Sequence, residues 1–133
     1  MNNAQSRSRS QRTAAPSRPR KPAPPPAALA ADSLAWAMQT AAACVTEVVA
    51  YGRSLTAVLA NLRQRSLPEN AVRAQAIDLT YATLRRYCRG DIELSVLLDR
   101  PTAEDELRSL LRVALCWLEM HPERAHVGVD QAV

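Results

Sequence analysis

From residue 33 onward the apolar positions recur at helical spacing, and no run alternates apolar with polar over the length of a strand. Leu34, Met38, Ala41, Val45 and Val48 follow one another at steps of four and three, which places them on one side of a helix. Asp32 or Ser33 can cap its start, and Gly52 is its expected stop. Ser54 opens a second, short helix with Leu55, Val58, Leu59 and Leu62 on one face, followed by a loop at Ser66 and Leu67. Pro68 suits the first turn of a third helix, where its missing N–H is not needed. The stripe of that helix is Ala74, Ile77, Tyr81, Leu84 and Cys88, and Gly90 is read as its C-terminal stop.

Residues 91–99 predict a short fourth helix with Ile92, Val96 and Leu97 on its apolar side, ended by Arg100 and Pro101 because the residue before a proline is pushed out of the helical region. Thr102 with Asp105 three residues on resembles a capping box for a fifth helix, and the acids from Glu104 to Glu106 suit the positive end of its dipole. Between Leu107 and Met120 only Arg108, Ser109, Arg112 and Glu119 are polar, and all four fall on one side. Such a helix is central, touched by neighbours on several sides. After His121 and Pro122 a sixth helix starts, and the pattern is still running at Val133, so the sequence looks cut. The predicted class is therefore all-α: a compact bundle of five helices and the start of a sixth over residues 32–133.

Residues 1–31 have a different composition, mostly Ser, Arg, Pro, Ala and Gln with a single Leu, and they predict a disordered arm, stiffened as polyproline II around the prolines. Arg7, Arg9, Arg12, Arg18, Arg20 and Lys21 all precede the first acid, Asp32. Removing those six of the 17 bases leaves 11 against 13 acids, a net of −2, so the overall +4 belongs to the arm. A basic arm on a near-neutral domain points to a polyanion partner, since clustered Lys and Arg bind phosphate backbones by displacing counterions. The arm is also Arg-rich and acid-free in the manner of a mitochondrial transit peptide, but its six prolines work against an amphipathic helix. No apolar run approaches the length needed to cross a bilayer, and no secretory signal opens the chain, so a soluble, cytoplasmic setting is expected.

Chemistry finds little purchase. With Gly52, Gly90 and Gly128 as the only glycines, a Gly-rich loop for a nucleotide or S-adenosylmethionine is lacking. Cys44, Cys88 and Cys116 are odd in number, far apart, and set along apolar helix sides, where cysteine behaves as a small hydrophobe. His121 and His126 lack the spacing of two ligands on one helix face, and His126 reads as a packing or helix-start residue. Trp36 and Trp117 read as core. No catalytic, cofactor-binding or metal site is assigned.

Arg85, Arg86 and Arg89 are different. On one helix they span 100° beside the apolar stripe, so all three guanidiniums reach solvent together. They complement the negative end of a helix, or they form a ridge that grips phosphate, extended by the arm and by Arg53. The residue types leave both readings open.

The order of five segments carries a resemblance: YGRSLTAVL at 51–59, IDLTYATLRRYCR at 77–89, LLDRP at 97–101, LLRVALCWL at 110–118 and AHVGVDQAV at 125–133. Together they resemble the N-terminal NusB-like RNA-binding domain of bacterial ribosomal RNA cytosine-C5 methyltransferases of the RsmB (Sun/Fmu) type. In that family GRSL opens the second helix, the Y-x-x-LRR pattern ends the third, and H-x-x-V-x-x-x-V begins the helix leading to the catalytic domain. Those elements match Gly52 to Leu55, Tyr81 with Leu84 to Arg86, and His126, Val129 and Val133. Pro122 lies further from His126 than in the family's P-x-H element, and LCWL with Glu119 replaces G-L-Y-Q-L.

The resemblance implies a NusB-like fold and binding of 16S ribosomal RNA through Arg85, Arg86, Arg89, Arg53 and the cations of the arm. It also implies a C-terminal methyltransferase domain that uses S-adenosylmethionine. This chain has neither that domain nor its Pro-Cys motif and is expected to be inactive alone. A stand-alone NusB-like antitermination adaptor and a plain helical protein-interaction domain are the alternatives.

Overall fold

The computed structural model describes residues 33–64 and 70–133. The arm of residues 1–31, Asp32 and the expected loop and proline at Ser66, Leu67 and Pro68 lie outside the described residues. Six α-helices and one 3-10 turn make up the ordered elements, and no strand occurs among the described residues: α1 (Leu34–Val49), α2 (Leu55–Gln64), α3 (Asn70–Arg85), α4 (Tyr87–Leu97), α5 (Asp105–Met120), a 3-10 turn at Pro122–Arg124 and α6 (Ala125–Ala132). The all-α expectation holds, with the sixth helix formed over two turns.

The first two caps sit where the sequence puts them. Ser33 Oγ accepts from Trp36 N–H at 3.2 Å, and Ser54 Oγ accepts from Ala57 N–H at 3.2 Å, each satisfying an N–H with no partner inside its helix. Gly52 ends the first helix at φ 66°, a left-handed conformation in which a side chain would be strained, and Arg53 N–H then reaches back to Glu47 O at 3.0 Å. At α5 the capping box does not form. Glu104 is the cap without a side-chain bond, and the Thr102 carbonyl instead accepts from Arg108 Nη2 at 2.9 Å. Asp105 and Glu106 do occupy the first turn, against the positive end of the dipole.

The core forms where α1, α3 and α5 pack together. Ala37, Ala41 and Ala42 on α1 face Val72, Ala76 and Leu79 on α3, with Met38, Val45, Val113 and Trp117 filling the centre. The alanines matter because small side chains let two helices approach closely while the larger ones interdigitate beside them. Each large apolar side chain buried here stabilises the fold by about 1.5–3 kcal/mol, against about 1 kcal/mol for a typical cap. A second cluster of Cys44, Val58, Leu59 and Leu62 seats α2 on α1. α5 meets α1, α3, α4 and α6, as expected of the central helix.

Three expectations need correcting, and each fails for the same kind of reason. On α3 the buried face is Val72, Ala76, Leu79, Thr80 and Thr83, whereas Ala74, Tyr81 and the chain beyond at Cys88 are exposed. Two threonines lie on the buried face, and Thr80 is accommodated because its hydroxyl donates to its own helix, Oγ1 to Ala76 O at 2.7 Å. Ile77 and Leu84 remain half-buried at the edges of that face. On α4 the expected apolar side is solvent-facing, with Ile92 66% and Val96 80% exposed and Leu97 exposed as well, while Leu94 is buried.

On α5 two of the supposed surface residues, Ser109 and Arg112, are buried, and Leu107 and Met120 are exposed. Ser109 is satisfied by Thr46, whose Oγ1 donates to Ala42 O at 2.9 Å and shares a hydrogen bond of 2.8 Å with Ser109 Oγ. Periodicity finds the helix, but a polar residue with a partner can take a core place that an apolar count assigns elsewhere.

Candidate nucleic-acid interface

Gly90 does not stop a helix. α3 ends five residues earlier at Arg85, the backbone turns at Arg86 with φ −105° and ψ 16°, and α4 runs through Gly90, whose N–H donates to Arg86 O at 2.9 Å. Arg86 N–H is shared between Ala82 O and Thr83 O, both at 3.2 Å, so the last turn of α3 tightens into the elbow. A guanidinium buried in α5 explains where α4 goes. Arg112, 4% exposed, passes its stem under Gly90, donates from Nη2 to Asp91 Oδ1, and stacks its guanidinium 4.4 Å from the centre of the Tyr87 ring. A Cβ at Gly90 would stand 3.5 Å from Arg112 Cγ, in ordinary contact.

The elbow therefore splits the three arginines between two helices: Arg85 closes α3, Arg86 is the corner and Arg89 lies in the first turn of α4. All three are exposed. They are not equally available. Arg86 Nη1 donates to Glu119 Oε2 at 2.9 Å, Arg89 Nη2 meets the other Glu119 oxygen, and Arg89 Nε donates to Glu93 Oε1 at 2.8 Å. The hydrogen bond to Glu93 and the charge of Glu119 hold the Arg89 proton more firmly than usual, and the same bond keeps the Glu93 carboxyl below the ordinary carboxylate range. Arg85 has no ion-pair partner among the described residues.

Arg53 does not join this group. Its Nη1 lies 2.8 Å from Glu47 Oε2, and it lines a groove with Glu104 and Glu106 at the start of α5, whereas Arg86 and Arg89 meet Glu119 in that helix's last turn, roughly 20 Å further along at 1.5 Å per residue. Arg7, Arg9, Arg12, Arg18, Arg20 and Lys21 lie outside the described residues.

The groove is a feature that sequence reading missed. It is an open concavity of about 1040 Å³ across α1, α2 and α5, lined by Trp36, Leu62 and Leu107, by the carboxylates of Glu47, Glu104 and Glu106, and by Arg53. Its acids give it the wrong sign for a phosphate backbone. Because α2 is seated mainly on α1, with Ile77 of α3 against its buried side chains, only tertiary contact could reveal the space beside it.

Among the described residues no three His, Cys, Asp or Glu gather as metal ligands, and no helix is long and apolar enough to cross a membrane. Gly90 and Gly128 do not fit an S-adenosylmethionine cradle: Gly90 is inside a helix against Arg112, and Gly128 is pressed on Trp117. His121 tilts over Trp117 with ring centres 5.0 Å apart, and His126 is exposed. Cys44 and Cys116 are buried, and burial pushes the Cys116 thiol up, away from thiolate. Cys88, expected on an apolar side, is exposed.

At about pH 8 a thiol-reactive disulfide reagent should therefore modify one of the three cysteines quickly in the native protein and the other two only on unfolding. Cys88→Ser should abolish the fast phase. Two fast thiols would contradict the burial of Cys44 or Cys116.

No protein-family model matches the chain, and no curated protein and no solved structure matches it either.

Proposed function

We propose that this chain is the non-catalytic RNA-binding domain of an S-adenosylmethionine-dependent 16S ribosomal RNA (cytosine-C5)-methyltransferase. It would work in the cytoplasm, docking ribosomal RNA for a C-terminal catalytic domain. The observation that carries the RNA reading is the elbow, where Arg85, Arg86 and Arg89 expose their guanidiniums on adjoining helix ends and Arg85 stands without an ion-pair partner among the described residues. Guanidiniums grip phosphate oxygens in pairs, and such contacts set affinity and register without reading sequence. The arm adds six cations before the first acid. The methyltransferase parentage rests on the order of the five segments from YGRSLTAVL to AHVGVDQAV.

Binding of a small-subunit rRNA fragment by the full chain across a salt series tests the RNA reading. Changing Arg85, Arg86 and Arg89 together to Ala should weaken binding about tenfold and reduce the log–log salt slope by somewhat under one per engaged cation. Suppose instead that the triple variant binds as the parent does, while replacing Arg7, Arg9, Arg12, Arg18, Arg20 and Lys21 by Gln abolishes binding. The elbow is then no interface, and the arm alone meets RNA.

One observation favours a second reading, a stand-alone adaptor that holds a protein partner together with RNA. The groove beside α2 combines Trp36, Leu62 and Leu107 with the carboxylates of Glu47, Glu104 and Glu106 in a mixed lining, which suits a basic, amphipathic protein segment better than a nucleic acid. A plain helical protein-interaction domain would use the same groove and bind no RNA at physiological salt.

A further inference from the structure

Glu119 holds the two guanidiniums that the RNA reading needs. One of its oxygens meets Arg86 Nη1 at 2.9 Å and the other meets Arg89 Nη2, so a single carboxylate bridges the arginine at the corner and the one in the first turn of α4. A phosphodiester offers the same pattern: two unesterified oxygens sharing negative charge, taken up by guanidinium N–H groups. We propose that the space between Arg86 and Arg89 is a seat for one RNA phosphate, and that Glu119 fills it in the free protein as an internal competitor. The inference rests on the RNA-binding reading and concerns the regulation of that same site.

Four features support exchange over permanent pairing. The side chains of Arg86 and Arg89 are 45% and 66% exposed, so an incoming phosphate can reach them before Glu119 lets go. The exchange substitutes one anion for another, so neither cation is left unpaired. Arg85 remains uncommitted beside the corner and supplies the attraction that the internally neutralised group lacks. Glu93, which holds Arg89 Nε on the same helix, keeps that guanidinium oriented while Glu119 leaves.

The arrangement also answers whether these arginines finish a helix or hold a phosphate. At rest they tie the corner of α3 and α4 to the last turn of α5, and the same donors are released when a stronger acceptor arrives.

The test measures binding of a fluorescein-labelled oligouridylate to the full chain at fixed salt. Glu119→Gln keeps the shape of the side chain and removes its charge. It should tighten binding about fivefold, a modest gain because the ion pairs it removes are solvent-exposed. Glu93→Gln should change affinity less, since it frees only one guanidinium. In a background of Arg86→Ala with Arg89→Ala the gain from Glu119→Gln should vanish.

Unchanged or weaker binding by Glu119→Gln, with an intact helical melt, would overturn the competitor role and make Glu119 a positioning residue. A gain that persists without Arg86 and Arg89 would overturn it too, as a general charge effect. If the Arg85, Arg86 and Arg89 triple change leaves affinity untouched, it is the RNA reading of the elbow that fails.

Discussion

Arg112→Ala should lower the stability of the folded domain by about 2–3 kcal/mol. The change removes a guanidinium that is 4% exposed, its hydrogen bond to Asp91 Oδ1, its stack 4.4 Å from the Tyr87 ring and the stem packed under Gly90. Breaking a fully buried pair costs about 3–5 kcal/mol, but the Asp91 side chain is 55% exposed and can return to water, which places this case lower. Since Arg112 Nε is buried without a hydrogen-bond partner, the charge is incompletely satisfied and the stem contributes much of the total.

Arg112→Met, which keeps the stem, should therefore lose less than about 1 kcal/mol. Denaturant unfolding of the two variants separates the contributions. Equal losses would show that charge, and not volume, joins α4 to α5. A neutral Ala variant would show that α4 is held by Leu94 and the elbow alone.

Gly128→Ala should cost about 1–3 kcal/mol although it adds a single carbon and improves helix propensity. A Cβ at this position falls inside contact distance of Cζ3 and Cε3 of Trp117 and 3.1 Å from Leu118 Cδ2. Trp117 is 2% exposed and wedged between α1, α3 and α6, so the ring has no free direction and α6 must move off instead. In a domain of about 100 residues that loss lowers the melting temperature by roughly 5–15 °C. Combining Gly128→Ala with Trp117→Leu makes room for the new methyl, so the pair should lose less than the sum of the two single changes. Strict additivity would mean that the two residues do not meet.

Much of the frame was legible one residue at a time. Ser33 and Ser54 cap because a hydroxyl placed just before an apolar run meets an N–H that the helix itself leaves unpaired. Gly52 ends a helix because its φ of 66° is open to glycine alone without strain. The candidate site was half legible. Arg85, Arg86 and Arg89 stood out as a cluster, but Gly90 beside them read as a stop, when it is a helical residue against Arg112. Glu119 was read as one of the polar residues on the open side of α5. Its place among the arginines depends on how α4 folds back, and nothing local signals that.

By itself, then, the sequence determined an all-helical chain, the starts of α1 and α2 and the presence of an exposed arginine group, since each follows from spacing and from side chains acting within a few residues of themselves. Tertiary structure alone decided which face of α3 is buried, why Ile92 and Val96 face water, how Arg112 comes to lie in the interior, and which carboxylates hold Arg86 and Arg89. The physical reason is that burial is set between elements. A polar side chain that finds a partner on another helix can enter the core, and an apolar one that finds no neighbour stays outside, whatever its position on a helical wheel.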